Sequence, residues 1–308
     1  MTEPILVLGP PDDAQVLAVE RAAAARGVPA EVLRLSTTRT DRWTWTTDRI
    51  ETSEGDRLDR VRGIYVRSMP TPAPDHRTEH VHPSDEAAWL ERAERRRRQL
   101  GFFKSAQLAL DERGVPILNS LWGYRHHRSK PGADAELAAA GLPVPRGVAT
   151  SDPASVEDLL DEVGDVVYKP VAGGGRCRVL DPSMLRTARA RLEVAPVYFQ
   201  ELVPGRNLRI YAIDDRVVAA FDIEADDVDF RGAETAITVI EVDDEVAGLA
   251  VEAAKVLGLR FSGSDIKRTP DGRLVVLDVN PSPMFAGIDH RVGGAIAGSI
   301  VDTLAVAR

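Results

Sequence analysis

The stretch Gly263-Ser-Asp-Ile-Lys-Arg-Thr-Pro-Asp-Gly-Arg-Leu-Val-Val-Leu-Asp-Val-Asn-Pro-Ser-Pro283 is the most informative part of the chain. It is predicted to form two strands joined by a Pro-Asp-Gly turn. Because side chains alternate across a strand, we expect Asp278 and Asn280 on one face, with Asp265 on the neighbouring strand. Mg²⁺ prefers such oxygen ligands and completes its shell with water and phosphate. The stretch predicts a magnesium site in a nucleotide-using enzyme, and a simple turn cap is the alternative that it leaves open by itself.

Composition narrows the class of protein. The chain has 308 residues, 44% of them hydrophobic, with a net charge of −9 and a pI near 5.3. This acidity argues against a nucleic-acid or membrane-surface partner. Cys177 is the only cysteine, which excludes intramolecular disulfides and favours a cytoplasmic location. The start lacks the features of a signal peptide, and no apolar run approaches the roughly 18 residues that span a bilayer.

The order of predicted elements indicates an α/β protein with further α+β parts. Strands and helices alternate through the first 120 residues, which predicts a parallel sheet, and the first helix is expected over Asp12–Arg26 with Asp12 as its cap. Longer, antiparallel strands are expected from residue 194 onward. We therefore predict three domains, at residues 1–120, 121–193 and 194–308.

A second informative segment is Val166-Val-Tyr-Lys-Pro-Val-Ala-Gly-Gly-Gly-Arg-Cys-Arg178. Lys169 ends an apolar strand and is followed by Gly173, Gly174 and Gly175. A glycine-rich turn lets backbone N–H groups approach phosphate oxygens, and a nearby lysine supplies a positive charge. The segment favours phosphate binding over the alternative, a flexible hairpin with an exposed lysine.

The third segment is Phe199-Gln-Glu-Leu-Val-Pro-Gly-Arg-Asn-Leu-Arg209. The end of this strand, from Gln200 to Val203, has backbone groups suited to the edge of an adenine ring. Asn207 and Arg209 alternate onto one face, where they are suited to a ribose hydroxyl and a phosphate.

Taken in order, these segments resemble the ATP-grasp superfamily, and most closely its RimK-like, glutathione-synthetase-like carboxylate–amine ligases. The resemblance runs from about residue 60 to the C-terminus. Its two lysines match Lys130 and Lys169, its "Q-E-φ-φ" hinge matches Gln200-Glu-Leu-Val203, and the arginine of its "D-x-R" matches Arg209. The metal ligands of the family match Asp265, Asp278 and Asn280. Arg67 falls where these ligases carry an arginine of the substrate domain.

The resemblance implies a fold and a mechanism. The fold is ATP-grasp, with an N-terminal parallel-sheet pre-ATP-grasp domain and two α+β lobes enclosing the nucleotide. The cofactors are ATP and Mg²⁺, with Mn²⁺ as an alternative. A carboxylate is phosphorylated to an acylphosphate, which an amine attacks. Catalysis is assigned to Arg209, Lys169 and Arg67. The implied cofactor-binding residues are Lys130, Lys169, Gly173, Gly174, Gly175, Gln200, Glu201, Leu202, Val203, Asn207 and Arg209.

The sequence departs from the family pattern at several positions. Asp278 stands where the family usually has glutamate, and Asn207 replaces an aspartate. Asp229-Phe-Arg231 is kept, but the residues that normally follow it are missing from 232–236. The nucleotide side of the site therefore matches the family better than the acceptor side.

Several functions remain to be distinguished. The substrate of a ligase is expected to be an amino acid, a peptide or a peptide or protein terminus, and a homo-oligomer is among the allowed states. A non-catalytic or regulatory ATP-binding protein on the same scaffold is the alternative.

The run Arg95–Arg98 is interpreted as a solvated helix face rather than a docking surface for an acidic partner. The adjacent pair His126 and His127 is a poor candidate for metal binding.

Overall fold

The computed structural model describes residues 3–10, 12–34, 43–46, 49–52, 60–68, 85–172, 175–183, 185, 192–229 and 233–306. The chain divides into two compact units. The first joins Met1–Leu121 with Met284–Arg308, and the second is Trp122–Pro283. The last 25 residues therefore belong with the N-terminal part, in contrast to the predicted domain of residues 194–308. Within the described residues, no helix has both the length and the apolar character needed to cross a bilayer.

The first unit is built on a parallel sheet, as its strand–helix alternation predicts. The sheet has the order β2-β1-β5-β6, and its strands are β1 Ile5–Gly9, β2 Ala30–Arg34, β5 Gly63–Val66 and β6 Ile117–Leu118. A separate antiparallel pair consists of β3 Trp43–Trp45 and β4 Ile50–Thr52. The helices are α1 Ala14–Ala25, α2 Glu86–Glu112, α6 Ala286–Asp289 and α7 Ala295–Ala305, with a 3₁₀ turn at His290–Val292.

The N-cap of helix α1 lies one residue later than expected. Its N-cap is Asp13, whose carboxylate accepts hydrogen bonds from the backbone of Gln15 and Val16. The prediction that Asp12 caps this helix is wrong, because two adjacent aspartates offer the same chemistry and only one lies in the capping geometry.

The C-terminal helix α7 packs within this first unit. Its Asp302 forms an ion pair with Arg26 of α1 at 2.7 Å. A Cβ on Gly63 of β5 would come within 2.8 Å of the Leu304 side chain. This close approach explains why glycine occupies the start of β5.

The arginine run on α2 behaves largely as a solvated helix face. Arg95 pairs with Glu91 at 3.0 Å, and Arg98 pairs with Glu94 at 3.1 Å. Arg96 is buried. These within-helix pairs favour the interpretation of a solvated face.

The second unit contains two antiparallel sheets. The first has the order β7-β10-β8-β9, with β7 Gly147–Thr150, β8 Val166–Lys169, β9 Arg178–Val179 and β10 Val197–Glu201. The second has the order β13-β12-β11-β14-β15, with β11 Arg206–Ile213, β12 Arg216–Ala225, β13 Glu234–Val239, β14 Phe261–Arg268 and β15 Leu274–Asn280. The helices whose full range is described are α3 Lys130–Ala139, α4 Pro153–Val163 and α5 Asp244–Val256, with a 3₁₀ turn at Gly123–His126.

Each sheet of the second unit has its own apolar core. Val156 and Leu159 of α4 pack with Val166 and Phe199 under the first sheet. Helix α5 covers the second sheet through residues such as Ala250. The predicted boundary at residue 193 between two lobes stays a prediction, and β10, which follows it in sequence, pairs with β7 and β8 of the first sheet.

A buried polar cluster joins α3 to the first sheet. The Tyr198 hydroxyl donates to the Asp134 carboxylate at 2.5 Å, and the Gln200 amide donates to the same carboxylate oxygen. All three residues are buried. Burial raises the pKa of Asp134 above its ordinary value.

A pair of glycine substitutions tests the backbone of the second unit. Gly205 has a φ of 126°, and a Cβ there would lie 2.2 Å from the Arg268 carbonyl oxygen. We expect Gly205→Ala to lower the free energy of unfolding by about 1–3 kcal/mol from backbone strain alone. Gly248 lies in α5 with open space around it, so Gly248→Ala should raise it by roughly 0.5–1 kcal/mol. Urea unfolding measures both changes, and equal effects would contradict the argument.

The polar cluster yields a second stability prediction. Tyr198→Phe removes one donor from a buried carboxylate, so the free energy of unfolding should fall by about 1–3 kcal/mol. Tyr168 is a matched control, since it is half-buried on β8 and its hydroxyl bonds to no other described residue. Tyr168→Phe should stay within about 0.5 kcal/mol of the wild type in the same urea titration. Two variants of equal stability would show that the cluster contributes little.

Candidate functional site

The site is organised by a row of charged side chains across three strands. Arg209 on β11 lies directly opposite Asp265 on β14, and Asp265 lies directly opposite Asp278 on β15. Asn280 is paired with Gly263 two positions further along. The two carboxylates are therefore cross-strand neighbours, a placement that is unfavourable unless cations compensate it.

A bulge alters the alternation of side chains on β15. The register between β14 and β15 shifts just after Asp265, so that Ile266 pairs with Val276. Leu277 is the extra residue of the bulge, and it lines the cavity next to Asp278. Bulges are common near functional sites.

Two cations neutralise the carboxylates. Lys130, the first residue of α3, lies 2.6 Å from Asp278, and Arg209 lies 2.8 Å from Asp265. Burial acts to lower the pKa of Lys130, but Asp278, together with the charges of Asp265 and Asp134, outweighs burial and the pKa lies above its ordinary value. Burial acts to raise the pKa of Asp278, and the charges of Lys130 and Lys169 bring it below the ordinary value.

Lys169 comes from the first sheet, at the end of β8. Its ammonium lies 5.4 Å from the centre of the Tyr198 ring, and it makes no ion pair with any carboxylate of the described residues. Burial and the charge of Lys130 lower the pKa of Lys169. The backbone N–H of Lys130 donates to the carbonyl of Val171, which ties the start of α3 to the turn after Lys169.

These side chains surround one cavity of about 420 Å³ within the second unit. Its volume lies in the range typical of small-molecule sites. Of the residues predicted from sequence, those that line it are Lys130, Lys169, Gly175, Asn207, Arg209, Asp265, Asp278 and Asn280. The two lysines and the acidic hairpin, which are far apart in sequence, are therefore brought together.

Other predicted residues lie elsewhere. The Gln200 side chain faces the buried cluster with Asp134, and none of the residues 200–203 lines the cavity. Gly173 and Gly174 lie outside the described residues. Arg67 belongs to the first unit, where it forms an ion pair with the capping residue Asp13 at 3.0 Å.

Several residues that sequence reasoning did not assign to the site line the cavity, among them His126, His127, Arg128 and Asp229. Asp229 is buried and accepts a hydrogen bond from the backbone of Cys177 at 2.8 Å, which joins the glycine-rich segment to the β12–β13 connection. The kept Asp229-Phe-Arg231 sequence was the one available signal for this contact. His126 approaches Glu136 at 2.5 Å, so its ring has a protein partner.

The donor set fits an oxygen-coordinated divalent cation next to phosphate groups. Asp265, Asp278 and Asn280 supply carboxylate and amide oxygens, which Mg²⁺ prefers. The Asn280 side-chain oxygen accepts a hydrogen bond from the backbone of Ser282 at 2.9 Å, which holds its orientation. Across the described residues, no cluster of three or more His, Cys, Asp or Glu side chains is arranged for a metal, so the amide oxygen is needed for a third protein ligand.

Comparison with known proteins agrees with this geometry. Residues 134–304 match the RimK-like ATP-grasp domain. A probable alpha-L-glutamate ligase of Vibrio cholerae serotype O1 is 33% identical over 203 residues, which cover 61% of this chain and 67% of that protein.

Solved structures resemble a larger part of the chain. The ATP-grasp ligase PsnB complexed with minimal precursor, Mg and ADP has a TM-score of 0.85 and 37% identity, covering 99% of this chain and 98% of that one. The macrocyclase MdnC of Microcystis aeruginosa MRC, bound with precursor peptide MdnA, has a TM-score of 0.77 at 18% identity and shows the fold alone. The predicted ATP-grasp fold and ATP-dependent ligase activity are confirmed, and the predicted ATP and Mg²⁺ agree with the PsnB complex. This chain belongs to the RimK-like ATP-grasp family of ligases.

Proposed function

We propose that this ligase activates carboxylates of a precursor peptide and joins them to amines. The observation that carries the proposal is the extent of the likeness to PsnB, which is complexed with precursor peptides in its structures. That likeness includes the first unit, whereas the match to the glutamate ligase covers 61% of this chain. A free amino acid as acceptor is the second substrate class that the family allows.

In this proposal Asp265, Asp278 and Asn280 hold Mg²⁺, with Mn²⁺ as the alternative ion. When bound, the magnesium nucleotide supplies the phosphoryl group that activates the acceptor carboxylate. Asp278 has a shorter reach than the glutamate usual in the family, and its pairing with Lys130 at 2.6 Å keeps it ionised. An ionised carboxylate is the form that coordinates a metal.

The cations of the cavity are proposed to bind phosphate oxygens. Lys169 is suited to this role, because its ammonium is held over the Tyr198 ring and has no carboxylate partner among the described residues. Lys130 and Arg209 lie beside the two carboxylates and extend the positive charge across the site. Such fixed charges in a partly buried cavity stabilise charge that develops during phosphoryl transfer.

The remaining assignments rest on position in the sequence and on the fold. Gly173, Gly174 and Gly175 are proposed to offer backbone N–H groups to the phosphates. Residues 200–203 are proposed to contact the adenine through their backbone, since the Gln200 side chain is already committed to Asp134. Asn207 donates its amide to the Ile223 carbonyl at 3.0 Å, which leaves its side-chain oxygen for a ribose hydroxyl.

Arg67 is proposed to contact the acceptor from the first unit. It lies at the carboxyl end of β5, beside the start of α1. The β1–β5 junction is a topological switch point of the parallel sheet, where α/β proteins commonly bind ligands. A cytoplasmic location, without nucleic-acid partners, is supported by the single cysteine and the acidic composition.

Turnover by purified variants tests the proposal. With a panel of peptides that contain Asp or Glu together with Lys, we expect peptide-dependent release of ADP. Lys169→Ala should reduce kcat by about 10²–10³-fold, because it removes a fixed charge at the transferred group. Asp278→Asn should raise the magnesium concentration needed for half-maximal rate.

Lys255→Ala is the matched control, since Lys255 is exposed on α5 of the same unit and does not line the cavity. It should turn over at the wild-type rate. If ADP is released with free glutamate and not with any peptide, the substrate is a free amino acid and not a precursor peptide. If neither peptides nor amino acids release ADP faster than ATP alone does, the proposal is wrong.

A further inference from the structure

Arg128 has a backbone conformation that L residues rarely adopt. Its φ is 146°, and Asp214 is the other described non-glycine residue with a positive φ. Such a conformation costs on the order of 1–3 kcal/mol and persists where the surrounding structure imposes it. Residues of this kind cluster at functional sites, so the side chain of Arg128 is a candidate for a role in binding.

The surrounding structure does impose this conformation. The 3₁₀ turn before Arg128 is anchored to α5 through Arg125, which donates to the Leu257 carbonyl at 2.6 Å. Arg125 and His126 both contact Glu136 of α3. On the other side, the backbone N–H of Ser129 donates to the His126 carbonyl at 2.9 Å. The chain is therefore fixed before and after Arg128, and only Arg128 absorbs the strained angle.

The strain places a cation at the cavity that contains Lys130, Lys169 and Arg209. Arg128 is exposed there. Unlike Lys130 and Arg209, which are paired with carboxylates, it forms no ion pair with any of the described residues. Its guanidinium is available to a ligand that enters the cavity.

We propose that Arg128 is an additional oxyanion-binding residue of the active site. Its ligand is a phosphate oxygen of the nucleotide or a carboxylate oxygen of the acceptor, and the inference rests on the proposed ligase function. A planar guanidinium matches either group through two parallel hydrogen bonds, which a lysine ammonium does not reproduce. The backbone strain is retained because it directs this group toward the substrates.

The experiment compares Arg128→Ala, Arg128→Lys and Arg128→Gly with the wild type. Calorimetry with Mg·AMPPNP measures nucleotide affinity. Steady-state kinetics with a peptide substrate measure the KM for ATP and the KM for the peptide. Loss of a charge-assisted contact in Arg128→Ala should either weaken the binding of Mg·AMPPNP or raise the KM for peptide, by about 10- to 100-fold. Arg128→Lys should recover only part of it. Arg216→Ala, at an exposed position on β12 away from the cavity, should stay within about twofold of the wild type.

The two sources of the oxyanion give different results. Weaker binding of Mg·AMPPNP assigns Arg128 to the nucleotide, whereas unchanged binding with a higher KM for peptide assigns it to the acceptor carboxylate. If Arg128→Ala leaves both within about twofold of the wild type, the proposal is overturned. Nucleotide binding and turnover by the wild type test the proposed function separately.

Arg128→Gly separates binding from folding. Glycine adopts a φ of 146° without a steric cost, so this variant should melt at a higher temperature than Arg128→Ala while losing the same affinity. A structural role alone would instead lower both the melting temperature and the affinity of Arg128→Ala and restore both in Arg128→Gly. Recovery of affinity by the glycine variant would therefore overturn the proposal.

Discussion

Two carboxylates, Asp265 and Asp278, lie directly opposite each other on neighbouring strands, and the rest of the site is arranged around their repulsion. Arg209 extends the row on one side, and Lys130 reaches Asp278 from the start of a helix. Each carboxylate thus has its own cation, and the charges of Lys130 and Lys169 hold the pKa of Asp278 below its ordinary value. The same cations then lie where phosphate oxygens of a nucleotide are proposed to bind. The need to compensate the two carboxylates with two cations explains why these four side chains lie together.

This arrangement also links the two sheets of the second unit. Lys169 comes from the first sheet, while Arg209, Asp265 and Asp278 come from the second. The Asp134 cluster fixes the Tyr198 ring over which the Lys169 ammonium lies. Asp229 joins the glycine-rich segment to the second sheet. The cavity therefore depends on contacts between sheets, and its shape responds to changes in residues that do not touch its interior.

Much of the fold and of the site could be predicted because the signals are local. The Asp-x-Asn strand end and the lysine before three glycines both lie at the cavity, as predicted. The bulge at Leu277 could not be predicted, since it depends on the pairing of two strands. The same holds for Arg128 and Asp134, whose roles arise from distant packing. The sequence could not decide between Asp12 and Asp13 as the N-cap of α1, because both offer the same carboxylate.

The first unit is assembled from two segments that lie far apart in the sequence. Helix α7 supplies Leu304 against the start of β5 and Asp302 to Arg26 of α1. During synthesis, the parallel sheet therefore leaves the ribosome long before the helix that covers it, with the whole second unit translated in between. The nascent sheet keeps an apolar surface open until α7 has been made. The fold of the first unit is consequently completed only after the second unit has been translated, and the apolar surface exposed in the meantime is of the kind that chaperones bind.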